Sequence, residues 1–183
     1  MTEQDLGKEN FRPLKIYFRA CEQTSSAYFG RSLVSGREFE KKVETMAKHL
    51  EKIGHTITSE DIVSWELQQK LREEAEHSGD YESYIFEHHI KALKEAGLAI
   101  FEVSQKSSGI GSWEDCCMVH VLNMPVILMR DKASGYYSPT FLGDYSPLVR
   151  RFEYDNNDYQ QVLEAALKWA TTEAREVQTA LQF

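Results

Sequence analysis

The sequence lacks several features that would define a protein class. No apolar run approaches the roughly 20 residues that cross a membrane, so we expect no membrane span. The three cysteines, Cys21, Cys116 and Cys117, are an odd number with one adjacent pair, which is typical of a reducing compartment rather than of a disulfide framework. The first residues are polar and lack the apolar core of a secretory signal. We therefore expect a protein of the cytoplasm or nucleus.

The sequence also has fewer basic than acidic residues. Lys and Arg total 21 against 29 Asp and Glu, which gives a formal net charge of −8. So acidic a surface repels a nucleic-acid backbone, and we expect no duplex DNA or RNA partner. A small nucleotide is not excluded, because one pocket of backbone N–H groups and a single arginine can bind a phosphate whatever the net charge.

The chain does contain alternating strand-like and helix-like segments, and its 183 residues are 42% apolar, enough for one core. This alternation predicts a single α/β domain over residues 15–183 after a polar tail, residues 1–14. We expect a three-layer sandwich of the flavodoxin-like kind, with a mainly parallel sheet of about five strands. The predicted strands are residues 15–19, 55–58, 98–104, 125–129 and 149–154.

Apolar periodicity predicts the helices. A stripe spaced by fours and threes indicates a helix that begins at Gly36 and ends near Gly54, with Ser35 and Glu38 forming a capping box at its start. Other helices are predicted at residues 60–76, 81–96 and 112–122, and from Asn157 onward. In the 81–96 helix the predicted inner face holds Ile85, Phe86, Ile90 and Leu93, with His89 on it and His88 pointing away. In the last helix the predicted inner face holds Leu163, Ala166, Ala170, Ala174, Val177 and Leu181.

Ligands of an open parallel sheet bind beyond the carboxyl ends of its strands, which places residues 19–37, 105–115 and 130–146 at the expected site. In the second of these loops, glycines and serines precede Glu114 and Asp115 at the start of a helix. A carboxylate there could stabilise or attack the positive charge that builds on a sugar when an N-glycosidic bond breaks. Alternatively, the two acids merely complement the helix macrodipole.

A second candidate site is Ser35-Gly36-Arg37. A glycine and an arginine at a helix N-terminus suit a phosphate group. The alternative is that Ser35 only closes the capping box, and Glu38 would then repel an anion placed there.

Residues 16–18, 32–37 and 99–111 resemble the nucleoside 2-deoxyribosyltransferase superfamily, and most closely its 2′-deoxynucleoside 5′-monophosphate N-hydrolase branch. The similarity runs from Lys15 to about Met129, with fainter traces to Ser138. It implies a deoxyribosyltransferase-like fold, a homodimer and a nucleotide or nucleoside ligand. It also implies that the helix after the Gly109-Ile-Gly111 loop supplies a carboxylate nucleophile, for which we choose Glu114, with Asp115 as the alternative.

The resemblance implies further roles. Tyr17 would border the sugar, and Trp113 would stack on the base or simply pack beside it. His89 stands where the family has an acidic residue or asparagine, so it could protonate a leaving base or be a hydrogen-bonded core histidine. Val34 replaces a family arginine. The expected contacts to substrate or 5′-phosphate are Ser35, Gly36, Arg37, Ser107, Gly109, Gly111 and, from a neighbouring subunit, Ser138.

Three functions fit this sequence. The first is an N-glycosidase acting on a (deoxy)nucleoside 5′-monophosphate. The second is a non-catalytic nucleotide-binding or structural relative, and the third is a deoxyribosyltransferase or an NAD glycohydrolase. No cofactor and no metal are expected, because His88 and His89 diverge on a helix and no third ligand has suitable spacing. Cys116 and Cys117 are interpreted as structural residues.

Overall fold

Five parallel strands form one sheet in the order β2-β1-β3-β4-β5. The computed structural model describes residues 12–20, 33–103, 119, 122–134, 146–155 and 158–181. The strands are β1 (Lys15–Ala20), β2 (Thr56–Ile57), β3 (Leu98–Glu102), β4 (Val126–Asp131) and β5 (Val149–Tyr154). The predicted α/β class and the five-stranded sheet are confirmed. The division into a tail and one domain stays a prediction.

Helices cover both faces of this sheet. They are α1 (Leu33–Lys52), α2 (Glu60–Val63), α3 (Trp65–Ser78), α4 (Tyr81–Glu95), α5 (Tyr159–Thr171) and α6 (Glu173–Ala180). A short 3₁₀ turn, Lys132–Ser134, follows β4. No helix within the described residues is long and apolar enough to span a bilayer.

Three helix boundaries differ from the predicted ones. The helix α1 begins at Leu33, so Ser35 lies inside its first turn and the predicted capping box with Glu38 is wrong. Residues that favour a cap are also tolerated in a first turn, which makes such a start hard to place from sequence. The charged 60–76 segment is two helices, because Ser64 adopts an extended conformation between them. The last helix is likewise divided, at Thr172.

The core has two layers, one on each face of the sheet. Side chains of β1, β3 and β4 that point to one face pack against α1, α5 and α6, where Met46, Leu50 and Leu163 are fully buried. The other face packs against α4 through Leu93 and Ala92, and Val119 joins that layer. The central strand β3 is buried throughout, as its continuous apolar sequence predicted.

The inner face of α4 was partly misassigned. Phe86, predicted to point inward, is 49% exposed, whereas Ala92 and Leu93 are buried and Ile90 is half-buried. The helix is rotated so that its C-terminal half meets the sheet through small and aliphatic residues. Leu181, predicted on the inner side of the last helix, is 56% exposed because it lies beyond the end of α6.

A hydroxyl group extends the short strand β2. Beyond Ile57, the buried Ser59 Oγ accepts a hydrogen bond from the Phe18 backbone N–H at 2.8 Å and donates one to the Phe18 carbonyl at 2.7 Å. One side chain thereby satisfies both main-chain groups that a longer β2 would have paired.

Candidate functional site

Tyr17, in the middle of β1, and Arg19, near its carboxyl end, project to the sheet face that α4 covers. Alternate residues of a strand share a face, and Phe18 between them points to the opposite layer. Both side chains meet His89 of α4. The Tyr17 hydroxyl lies 3.0 Å and the Arg19 guanidinium 3.1 Å from His89 Nδ1. The sheet and α4 thus bring together residues separated by about 70 positions in the chain.

The hydrogen bonds of this cluster determine the form of the imidazole. A guanidinium can only donate, so His89 Nδ1 accepts from Arg19 and the ring proton resides on Nε2. Burial, together with smaller contributions from the positive charge of Arg19 and from the neighbouring His88, lowers the pKa of His89 to about 3. His89 is therefore a neutral imidazole at physiological pH.

A neutral His89 limits the chemistry of this cluster. The imidazolium needed for proton donation is scarcely populated near pH 7. His89 Nδ1 orients Arg19 and Tyr17. Tyr17 itself is fully buried, and the cluster is not suited to supplying protons near neutral pH.

A second polar cluster lies on the opposite face at the same edge. Glu102, the last residue of β3, is fully buried, and its Oε1 accepts a hydrogen bond of 2.6 Å from the Tyr154 hydroxyl. In the neighbouring strand, Asp131 Oδ2 lies 2.6 Å from Lys42 Nζ, and Asp131 Oδ1 accepts the Ala133 backbone N–H at 3.0 Å. The carboxyl groups of Glu102 and Asp131 therefore lie at the ends of two neighbouring strands, each with its own donor.

Lys42 connects α1 to this cluster. Its ammonium group lies 4.5 Å from the centre of the Tyr154 ring, close enough for a cation–π interaction. Its side chain is 19% exposed and that of Asp131 is 11% exposed, so the ion pair is mostly buried. This contact ties α1, which includes Ser35, Gly36 and Arg37, to the ends of β4 and β5.

Of the residues predicted from sequence, the structure brings Tyr17 and His89 together. It places the backbone of residues 35–37 in the first turns of α1, without describing their side chains. The other predicted site residues lie outside the described part of the chain: Ser107, Gly109, Gly111, Trp113, Glu114, Asp115 and Ser138. Their roles stay predictions.

Arg19 and Asp131 lie in segments that the sequence placed at the site but were not singled out there, whereas Lys42, Glu102 and Tyr154 were missed altogether. The available signal was a charged residue at the end of an apolar strand, which Arg19, Glu102 and Asp131 all show. Lys42 and Tyr154 had no such signal, because their contacts depend on the packing of α1 against β5.

Within the segments that the structure describes, no group of three or more His, Cys, Asp or Glu side chains could hold a metal ion. Comparison by sequence adds no assignment: the chain matches no protein-family model and no curated protein.

We expect Tyr154→Phe to lower the free energy of unfolding by about 1.5 kcal/mol, since it removes a donor from a buried carboxyl group. The measurement is urea denaturation of both proteins. Tyr81→Phe, at a tyrosine that is 43% exposed, is the matched control and should leave stability nearly unchanged. An equal effect of the two substitutions would show that the hydrogen bond to Glu102 contributes nothing to the free energy of unfolding.

Proposed function

We propose that this protein is an N-glycosidase that cleaves the base–sugar bond of a (deoxy)nucleoside 5′-monophosphate. The observation that carries the proposal is the contact between Tyr17 and His89. The resemblance assigns one to the sugar and the other to the leaving base, and their side chains meet at 3.0 Å. Arg19, two residues further along β1 and also in contact with His89, lies near the carboxyl edge of the parallel sheet, where α/β proteins bind ligands.

The remaining parts of the reaction are assigned by the resemblance. Glu114, or alternatively Asp115, would attack the anomeric carbon and form a glycosyl-enzyme, which water then hydrolyses. A 5′-phosphate gives Arg37 an anionic partner that a free nucleoside would not supply, which favours a monophosphate. Transfer of the sugar to a second base would be the same chemistry with a different acceptor. A homodimer that contributes Ser138 to the phosphate site belongs to this proposal.

The role of His89 in this proposal follows from its neutral state. Negative charge builds on the leaving base without transfer of a proton from His89. Arg19, which shares Nδ1 with Tyr17, adds positive charge on the same side. The base would therefore depart as an anion or take its proton from water.

The neutral state of His89 also favours a second function, that of a nucleotide-binding protein without catalysis. Leaving bases are commonly protonated by a side chain whose pKa lies near the working pH, and a His89 pKa of about 3 does not meet that need. Binding alone requires no side chain that titrates near the working pH.

The test is to incubate the pure protein with ribo- and deoxynucleoside 5′-monophosphates, and with the matching nucleosides, and to measure free base by chromatography. We expect release from a monophosphate, and loss of release in either Glu114→Gln or Asp115→Asn. Glu95→Gln, at an exposed acid of α4, is the control. Binding by calorimetry without release across the panel would favour the second function, and neither binding nor release would refute both.

A further inference from the structure

A histidine side chain holds the amino end of β1. Leu14, the residue before β1, donates its backbone N–H to His55 Nδ1 at 3.2 Å, and its carbonyl accepts the Thr56 N–H at 2.9 Å. Both main-chain groups of Leu14 are therefore bound to the segment that joins α1 to β2. The parallel pairing of β1 with β2 begins one residue later, at Lys15 and Thr56. The imidazole thus adds one hydrogen bond to the amino end of this pairing.

The backbone around His55 fixes the position of its ring. The His55 N–H donates to the Leu50 carbonyl of α1 at 3.0 Å, and Gly54, just before it, turns the chain with a φ of 99°. The next residue, Thr56, belongs to β2. Because the main chain is anchored on both sides of the ring, little conformational entropy is lost when Nδ1 binds Leu14.

The hydrogen bond from Leu14 exists in only one protonation state of His55. A backbone N–H can only donate, so Nδ1 accepts and the proton of the neutral imidazole is on Nε2. A second proton would bind to Nδ1 and place two donors against each other. Burial lowers the pKa of His55, which agrees with a neutral ring in the folded protein. Protonation of His55 therefore competes with the hydrogen bond from Leu14.

The charged groups on the surrounding elements do not set the protonation of His55. Among the described residues, burial rather than a neighbouring charge lowers its pKa. His49 of α1 faces Tyr159 of α5 instead, with ring centres 6.4 Å apart. The charged residues on α1, α2 and the start of β1 nearest to His55 in the chain or in the strand pairing are all exposed: Arg12, Lys15, Glu51, Lys52 and Glu60.

We propose that His55 is a pH-sensitive switch that controls whether the amino end of β1 stays paired. At neutral pH the imidazole keeps the half-buried Leu14 on the core cluster to which α1 and α5 contribute. In acid, the protonated ring releases the Leu14 N–H, and this end of the strand opens while the rest of the sheet stays paired. The opened form binds a proton near pH 6.5 and the paired form only at lower pH, so acidification favours opening. This switch is independent of any glycosidase activity.

Amide hydrogen exchange tests the switch, followed residue by residue by NMR at pH 7.5 and pH 5.0. In the wild type we expect the protection of the Leu14 amide to fall about tenfold at the lower pH, relative to that of Ala99. The Ala99 N–H donates to the Pro125 carbonyl at 3.0 Å, away from His55. The ratio removes any global destabilisation in acid, because global unfolding exposes both amides alike.

Three variants separate the imidazole from other causes. His55→Asn is the matched variant, because its Oδ1 can accept the Leu14 N–H in place of Nδ1 but does not titrate, so protection should be retained at both pH values. His55→Ala should lose the protection of Leu14 already at pH 7.5. His77→Asn, at an exposed histidine of α3, should behave as the wild type.

The proposal is overturned if the ratio of Leu14 to Ala99 protection in the wild type is the same at both pH values. An equal fall in His55→Asn would also overturn it, since the titrating group would then be another one. So would wild-type protection of Leu14 in His55→Ala at pH 7.5, because the imidazole would then contribute nothing. Circular dichroism at both pH values shows that each variant is folded.

Discussion

Lys42→Met is expected to lower the free energy of unfolding by about 3 kcal/mol, the largest loss among the substitutions considered. Methionine preserves most of the aliphatic stem but removes the ammonium group 2.6 Å from Asp131 Oδ2. The carboxylate of Asp131 then stays mostly buried without its cation. The attraction of the ammonium group to the Tyr154 ring is lost as well. Urea denaturation monitored by circular dichroism measures the change.

A control on the same helix separates this effect from helix propensity. Lys48 forms an i,i+4 pair with Glu44, but its side chain is 69% exposed, so Lys48→Met should cost less than about 0.5 kcal/mol. Adding Asp131→Asn to Lys42→Met should recover part of the loss, because the amide oxygen can still accept the Ala133 N–H while the buried charge is gone. Equal losses in Lys42→Met and Lys48→Met would show that the ion pair does not stabilise the fold.

Acidification is expected to destabilise the protein through His89. A histidine in the unfolded chain binds a proton near pH 6.5, whereas in the folded protein His89 does so only near pH 3. Between these values the unfolded state binds more protons, so the free energy of unfolding falls as the pH falls. With a limiting slope of about 1.36 kcal/mol per pH unit, the decrease from pH 7.5 to 4.5 amounts to roughly 2.7 kcal/mol.

His89→Gln isolates this contribution. Its amide oxygen can still accept a hydrogen bond from Arg19, but it does not titrate. The loss of stability between pH 7.5 and 4.5, from urea titrations at each pH, should be smaller by roughly 2.7 kcal/mol than in the wild type. His77→Gln, at an exposed position in the last turn of α3, is the control and should retain the wild-type dependence. Identical pH dependence in His89→Gln and the wild type would contradict a buried neutral His89.

The sheet was predictable because its signal is local. The run from Leu98 to Glu102 is apolar enough to require burial on both faces, and a strand of that kind belongs in the centre of a parallel sheet. Gly54 and Gly79 adopt positive φ just beyond α1 and at the end of α3, where their positions in the sequence indicated helix ends. The start of α1 was less predictable, since Ser35 suits a cap and a first turn alike.

The chemistry of the site was harder to predict from the sequence, because it depends on contacts between residues that are far apart in the chain. The sequence indicated that His89 points inward, which is correct, but nothing in its neighbours along α4 shows that Arg19 approaches its ring. The neutral state of His89 depends on its burial in the fold and on the approach of Arg19. The pairing of Glu102 with Tyr154 likewise joins the ends of two strands separated by 52 positions, and no periodicity predicts it.

The Ser59 hydroxyl protects part of the sheet edge from pairing with a strand of another copy of this protein. An open sheet margin offers unpaired amide and carbonyl groups on which a foreign strand can assemble, a common first step toward fibrils. At Phe18 both of these groups are already occupied by one internal oxygen. A strand approaching this margin beyond β2 would find no main-chain partner there and would first have to displace a fully buried serine.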